Sequence, residues 1–262
     1  MEKDGIGERP LISVITVVHN GEEHLERTIR SVTHQTFDNF EYVIVDGGST
    51  DGTVEIITRC EDAIDRWISE KDDGIYDAMN KGVRLSRGEW IYFLGSDDRF
   101  RDEQVLVRMK DFLKGDLAMV FGGIEYEDGR KVLSRFYRNT WLHNTIHHQS
   151  AFYRRALFEN WEYDTRYGLI SDYELNLMVF LGEYDYRFVD EVIAVCRSSG
   201  RSRTQLLKAF RETNAVRRKH VGVWKNGVFC ALFSVKYFVS MILHAARNRL
   251  LRVPSLFFGP GL

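Results

Sequence analysis

Cysteine is scarce in this chain of 262 residues, and the three present form no framework. Cys60, Cys196 and Cys230 are odd in number and show no C-x-x-C spacing, which argues against a disulfide scaffold and a structural zinc site and suits a reducing compartment. The opening segment MEKDGIGERP carries acids and no apolar core, so a secretory leader is not expected. Acids are nearly missing from the other end. Residues 197–262 hold thirteen Lys and Arg against one acid, Glu212, a surplus of +12 hidden in a net charge of −2; the preceding residues therefore carry −14. A basic tail of this kind meets nucleic acid or an anionic membrane surface. With 44% apolar and 28% charged residues the composition is ordinary for a globular protein, which excludes disordered and collagen-like classes. The expected organisation is one large domain over 1–196 and a basic, amphipathic helical region over 197–262.

Apolar runs alternate with helical patterns through the first hundred residues. PLISVITVVHN (10–20) is β-branched, and in the next segment Leu25, Ile29 and Val32 recur at helical spacing. FEYVIVDGGSTDGT (40–53) ends a second run at Asp46 with a turn cluster, before a short amphipathic stretch from Val54 to Ile57. AIDRWISE (63–70) leads into a helix with Ile75, Met79 and Val83 on one face, and WIYFLGSDD (90–98) reads as a fourth strand. Beyond it, 117–136 reads as a hairpin turning at Asp128-Gly129 and 147–158 as a strand entering a helix. Residues 169–183 read as a helix with Leu175, Met178 and Val179 inward, and YDYRFVDEVIAVCR as a closing strand. This alternation predicts an α/β fold with a mixed, mainly parallel sheet flanked by helices. Ligands bind such sheets beyond the carboxyl ends of the strands. The residues at those ends are His19 and Asn20, Asp46 to Asp51, Asp72 and Asp73, and Asp97 and Asp98.

Carboxylates gathered at one edge repel each other unless a cation sits among them. A hard divalent ion, Mg2+ or Mn2+, held by few carboxylates with phosphate oxygens completing its shell, is the expected occupant, and it implies a nucleoside diphosphate ligand. Ordinary strand-end turns and caps are the alternative for Asp51, Thr53 and the Asp97-Asp98 pair. Asp46 ends an unbroken apolar run, where an acid without partners is costly to bury.

The three segments SVITVVHNGEEHLERTIRSVTHQTFDNFEYVIVDGGSTDGT, GIYDAMNKGVRLSRGEWIYFLGSDD and SDYEL, in this order, resemble the inverting family 2 glycosyltransferases of GT-A fold that build bacterial surface polysaccharides, over about residues 10–196. The resemblance implies a nucleotide-sugar donor (a UDP-sugar first, a GDP- or dTDP-sugar otherwise) and a saccharide or lipid-linked saccharide acceptor. It implies Asp46 at the nucleotide base, Val18 and Asn20 along base and ribose, and Asp77 and Lys81 near the cleft, with Lys81 at phosphate. Asp97 would meet the ribose or donor sugar and Asp98 the metal, within a segment standing for D-x-D although Ser96 replaces its first acid. Inverting displacement needs a base at the acceptor hydroxyl. Asp172 is the candidate, with Glu174 as alternative base and a helix cap as the alternative use of Asp172. His147 and His148 are candidate acceptor or metal contacts, of which adjacent strand positions would admit only one.

A metal-dependent nucleotidyltransferase would be expected to carry a Gly-rich loop where this chain has HNGEEHLER, and a non-catalytic nucleotide-sugar-binding protein would need no base such as Asp172. The segment 228–246 is apolar but interrupted by Lys236 and flanked by RRKH and RNRLLR, the pattern of a helix lying in a membrane interface. The expected location is therefore cytoplasmic and peripheral on the inner face of the cytoplasmic membrane. Packing on the catalytic domain and a homodimer contact are the alternatives for that helix. No nucleic-acid motif accompanies the basic residues, so no nucleic-acid partner is expected.

Overall fold

A computed structural model of the chain describes residues 9–197 and 205–231. Its elements run β1 (Ile12–Val18), α1 (Leu25–Thr33), β2 (Phe40–Asp46), α2 (Thr53–Arg59), β3 (Arg66–Ser69), α3 (Ile75–Leu85), β4 (Trp90–Gly95), β5 (Arg99–Phe100) and α4 (Val105–Lys110). They continue as β6 (Met119–Tyr126), β7 (Lys131–Leu133), β8 (Ala151–Arg154), α5 (Ser171–Leu181), β9 (Tyr186–Cys196) and α6 (Leu206–His220). Among the described residues these strands form one sheet in the order β3-β2-β1-β4-β8-β6-β9-β5, with β7 on β6. β1 runs parallel to β2 and β4, and β2 to β3, as strands joined through helices must. β8 enters antiparallel between β4 and β6, so the sheet is mixed beyond its first four strands.

Alternate residues of the strands feed two cores, one on each face. Ile12, Val14, Tyr42, Ile44, Tyr92 and Leu94 pack with α1, α2 and α4 on one face. Ile15, Val43, Ile91 and Phe93 pack with α3 and α5 on the other. Leu25, Ile29 and Val32 are all buried on α1, as their spacing predicts. The hairpin expected at Asp128-Gly129 is present, with Gly129 at φ 82° and its N–H donating to Tyr126 O.

Three local expectations are corrected. Ile75 opens α3 on the solvent side, 41% exposed, and Tyr76 takes the inward position instead, because its ring stacks toward Tyr163 and its hydroxyl finds a buried acceptor. Met178 is only half-buried, while Leu175 and Val179 are fully inward. His147 and His148 do not lie on a strand: residues His148–Ser150 form a single 3-10 turn that leads into β8, so strand alternation does not govern where the two rings go.

By compactness the chain divides after Thr213. Within the first unit Glu212 accepts from the backbone N–H groups of Gly168 and Leu169 at 3.1 and 2.9 Å, which ties the opening turns of α6 to the loop before α5. Within the second, Arg217 is buried, donating to Asn226 and lying over the ring of Phe229. No helix among the described residues is long and apolar enough to cross a membrane, and most of the 228–246 segment lies outside them.

Candidate active site

Register alone aligns the ends of the central strands. Val18 pairs with Asp46, Asp46 with Ser69, and Val17 with Gly95, so the loops after β1, β2, β3 and β4 all open at one edge. The first two are clamped together. Asn20 adopts φ 53°, a left-handed conformation that asparagine tolerates, and from it donates its N–H to Ser49 Oγ at 2.7 Å while Oδ1 accepts from Thr50 N at 2.9 Å. Gly21 N donates to Thr53 Oγ1 and Glu22 N to Asp51 Oδ2. The burial of Asp51 would raise its pKa, but hydrogen bonds from Thr53 and Glu22 outweigh this and hold the carboxyl below its usual range.

Asp46 is fully buried, and its charge is met by four donors: Gly48 N, Ser49 N, Ser49 Oγ and Ser69 Oγ. That explains how an acid ends a buried strand: it organises the turn that follows. Val18 is 4% exposed beside it. On α3, Lys81 is already compensated, 2.9 Å from Glu70 and 3.4 Å from Asp77, and it donates to Lys71 O; those acids hold its pKa above the usual lysine value against the opposing effect of burial.

The Asp97-Asp98 pair sits in a tight turn in which Asp98 N donates to Gly95 O at 3.0 Å. Thr28, buried on α1, clamps the turn by donating to Ser96 O and Asp98 O at 2.9 and 2.6 Å. A Cβ on residue 95 would lie 2.5 Å from Asp98 Oδ2 and 3.4 Å from Asp97 Oδ1, so only glycine leaves room for both carboxylates, whose oxygens are no more than about 6 Å apart. Asp98 is 3% exposed; its Oδ2 accepts from Gln149 Nε2 at 2.8 Å and its Oδ1 from Arg197 N at 3.0 Å. Burial, then the charge of Asp97, pushes its pKa above the usual carboxylate range, against the opposing hydrogen bonds and His148. The thiol of Cys196 is hydrogen-bonded to Asp98 as well. Two hard carboxylates around one cradle suit a divalent cation whose remaining ligands are phosphate oxygens; no group of three or more ligating side chains is present among the described residues.

Asp172 lies in the first turn of α5 and is 7% exposed. It is not spent on capping: the N-cap position is Ile170, and no side chain caps the helix. Its Oδ1 accepts from Tyr76 OH and its Oδ2 from Asn144 Nδ2, both at 2.9 Å, with His148 Nδ1 at 3.8 Å from Oδ2. Tyr153 OH, Asn176 and Asn144 continue as a buried hydrogen-bonded chain to that oxygen. Glu174, two residues on and therefore about 200° around the helix, is buried. His147 packs edge-on against Tyr126, so of the two histidines His148 is the one between the carboxylates.

Tyr76, Asn144, Gln149 and Asn176 were not among the sequence-predicted residues. Tyr76 stood within the GIYDAMNKG segment and Gln149 directly after the histidine pair, but nothing in the one-dimensional pattern pointed to Asn144 or Asn176.

A profile described as Glycosyl transferase family 2 matches residues 13–170, well over half of the chain. The chain belongs to glycosyl transferase family 2. A PGL/p-HBAD biosynthesis glycosyltransferase of Mycobacterium tuberculosis is 36% identical over 186 residues, covering 65% of this chain and 70% of that protein. The putative teichuronic acid biosynthesis glycosyltransferase TuaG of Bacillus subtilis is 34% identical over 119 residues, 44% of this chain and 47% of its own length. Among solved structures, S. aureus TarS 1-349 in complex with UDP-GlcNAc superposes with a TM-score of 0.64 at 19% identity, covering 80% of this chain and 66% of that one. The mannosyltransferase PcManGT from Pyrobaculum calidifontis, in complex with GDP-Man and Mn2+, gives 0.59 at 19%, covering 81% and 62%. The chain thus spans 66% and 62% of these two solved chains, and the shared architecture is the GT-A fold of these transferases.

Proposed function

We propose that this family 2 chain transfers a sugar, with inversion, from a nucleoside diphosphate sugar to a saccharide or lipid-linked saccharide acceptor in surface polysaccharide synthesis. The observation that carries the reading is a pair of adjacent residues: His148 lies beside Asp172 and Gln149 donates to Asp98, so one dipeptide couples two separate carboxylate sites at the same edge. Asp97 and Asp98 would hold Mg2+ or Mn2+, which when bound neutralises charge on the departing diphosphate. Val18, Asn20 and Asp46 shape the first two loops for base and ribose, with Asp46 acting through the turn it orders; Asp77 and Lys81 flank the third.

Asp172 takes the proton of the acceptor hydroxyl as its oxygen bonds to the anomeric carbon; the bond from that carbon to phosphate breaks, and its electron pair leaves on the diphosphate. Tyr76 and Asn144 fix the carboxylate, and burial limits access of water. The names of the relatives support glycosyl transfer in envelope polymers, and the donors bound by the solved neighbours support a UDP- or GDP-sugar.

The test is a screen of UDP-, GDP- and dTDP-sugars for thermal stabilisation with and without Mg2+ or Mn2+. At about 100-fold over Kd a true donor adds roughly 2.7 kcal/mol, a shift of some 5–10 °C for a chain of this size. No stabilisation by any donor, with Asp98→Ala indistinguishable from wild type, overturns the donor-site assignment.

Exposed Val223, Trp224 and Val228 beside exposed Arg218, Lys219 and Lys225 support a peripheral place on an anionic, cytoplasmic membrane face. Co-sedimentation with phosphatidylglycerol vesicles tests it; equal recovery with neutral vesicles removes the electrostatic half of the reading.

A further inference from the structure

A second basic feature lies at the opposite edge of the sheet, where β1 and β4 begin and β8 ends. There a cavity of about 390 Å3 is lined by Arg9, Pro10, Ser86, Arg87 and Arg155. The strands between it and the transfer site run six or seven residues, roughly 20 Å.

Arg155 is bound by neutral acceptors alone, donating to Gly88 O, Val83 O and Ser86 Oγ at 2.5, 3.2 and 2.7 Å. Those bonds explain how the residue is held at the end of α3; its charge is offset only through space, by Glu41, among the described residues. Burial, then the charge of Arg9, depresses its pKa from the usual arginine value. Arg9 donates through Nε to Arg87 O at 2.8 Å. Arg87 lies 3.4 Å from Glu41 Oε2. Among the described residues Glu41 is the one carboxylate hydrogen-bonded into this group; it is buried, and its other oxygen already accepts from Ser13 Oγ, Gly88 N and Arg87 N. The nearby Glu89 is paired with Arg154 and Glu162 with Arg84. Among the described residues three guanidinium groups therefore share one carboxylate, a local surplus of two positive charges around a concavity.

We propose that this cavity is an anion site for a phosphate group, free or as the headgroup of a phospholipid, bound by Arg9 and Arg87 over a floor set by Arg155. A phosphate monoester carries about −1.5 to −2 charges at neutral pH, which matches the surplus, and planar guanidinium groups bind its oxygens in pairs. A structural role for Arg155 accounts for neither the convergence of Arg9 and Arg87 on the same space nor the shortage of counter-charge among the described residues. The inference does not depend on the donor-site reading.

Isothermal titration of the full chain in EDTA with inorganic phosphate, and separately with monomeric dihexanoyl phosphatidic acid, tests it. Saturable binding of either, weakened at least tenfold by Arg9→Gln/Arg87→Gln and several-fold by Arg9→Gln alone, supports the site; whichever compound binds more tightly identifies the source. Arg9 is exposed, so its single variant keeps the test valid if loss of the Arg87–Glu41 pair impairs folding. Asp98→Asn protein must bind as wild type does. No binding of either compound, binding indifferent to Arg9→Gln, or binding lost in Asp98→Asn overturns the proposal.

Discussion

Replacing Asp172 by Asn changes one atom and removes the capacity to accept a proton. The structure allows the folding cost to be separated from the chemical one. Asp172 Oδ2 accepts from Asn144 and Oδ1 from Tyr76. An Asn side chain can keep its oxygen toward Asn144 Nδ2 and turn its amide toward Tyr76, whose hydroxyl is able to accept instead of donate. The buried Tyr76 hydroxyl hydrogen then loses its acceptor, so the stability cost is the roughly 1–3 kcal/mol of one unsatisfied group. Loss of a positioned general base costs about 100- to 10,000-fold, or ~3–5 kcal/mol of barrier. The expected result is a kcat for sugar transfer lower by at least 100-fold, a melting temperature lower by no more than about 10 °C, and an unchanged donor Kd. Transfer should be followed by product formation on the acceptor and donor binding by titration with the metal present. Turnover within threefold of wild type would show that another group takes the proton.

Three further outcomes follow from the same geometry. Asn144→Ala removes one of the two side-chain hydrogen bonds from Tyr76 and Asn144 to Asp172 and breaks the chain to Asn176 and Tyr153, so kcat should fall roughly tenfold at constant donor KM; a change confined to KM would place Asn144 elsewhere in the mechanism. Gly95→Ala puts a methyl 2.5 Å from Asp98 Oδ2, and metal-dependent donor stabilisation should disappear in a protein that still melts cooperatively; retained stabilisation would detach the cradle from the metal. For Asp98, burial and then Asp97 raise the folded pKa above its unfolded value. The metal-free folded chain therefore binds the proton more tightly than the unfolded chain, and the group costs stability as pH rises through the folded pKa. Asp98→Asn should accordingly raise the metal-free melting temperature at pH 7 and have little effect at pH 3, while metal-dependent stabilisation is lost; a lower melting temperature at pH 7 would contradict the sign.

The strands and helices of the first hundred residues were legible because their apolar residues repeat with the periods of the elements they form, and burial on both faces of a parallel sheet leaves an unbroken run. Ile75 escaped for a reason within the same physics: a helix start is where the inward stripe is least constrained, and one large aromatic at position 76 with a buried partner outweighs a solvent-facing isoleucine. The histidine pair was misplaced because a single 3-10 turn has too few residues to print a period.

The acids at strand ends were legible for a different reason from the groups that set their properties. A carboxylate after an apolar run announces a cost that something must offset, so Asp46 and Asp98 can be singled out from local sequence. What offsets it is set by tertiary approach. Tyr76 reaches Asp172 across 96 residues, Gln149 reaches Asp98 across 51, and Arg197 N reaches it across 99. Tyrosine, glutamine and a backbone amide are each common and each polar, and none carries a signature outside its contact. The same asymmetry separates the two carboxylates in function. Asp46 is neutralised entirely by short-range donors within its own loop and by Ser69 of the neighbouring strand, which leaves it a fixed part of the scaffold. Asp98 is met by Gln149, Arg197 N and the Cys196 thiol, yet with a like charge beside it its pKa stays raised, which leaves its charge to be completed by something that binds. A buried acid whose partners do not balance it costs stability, and a cation bound beside it would offset that cost, so folding and cation binding would be linked through the same carboxylate.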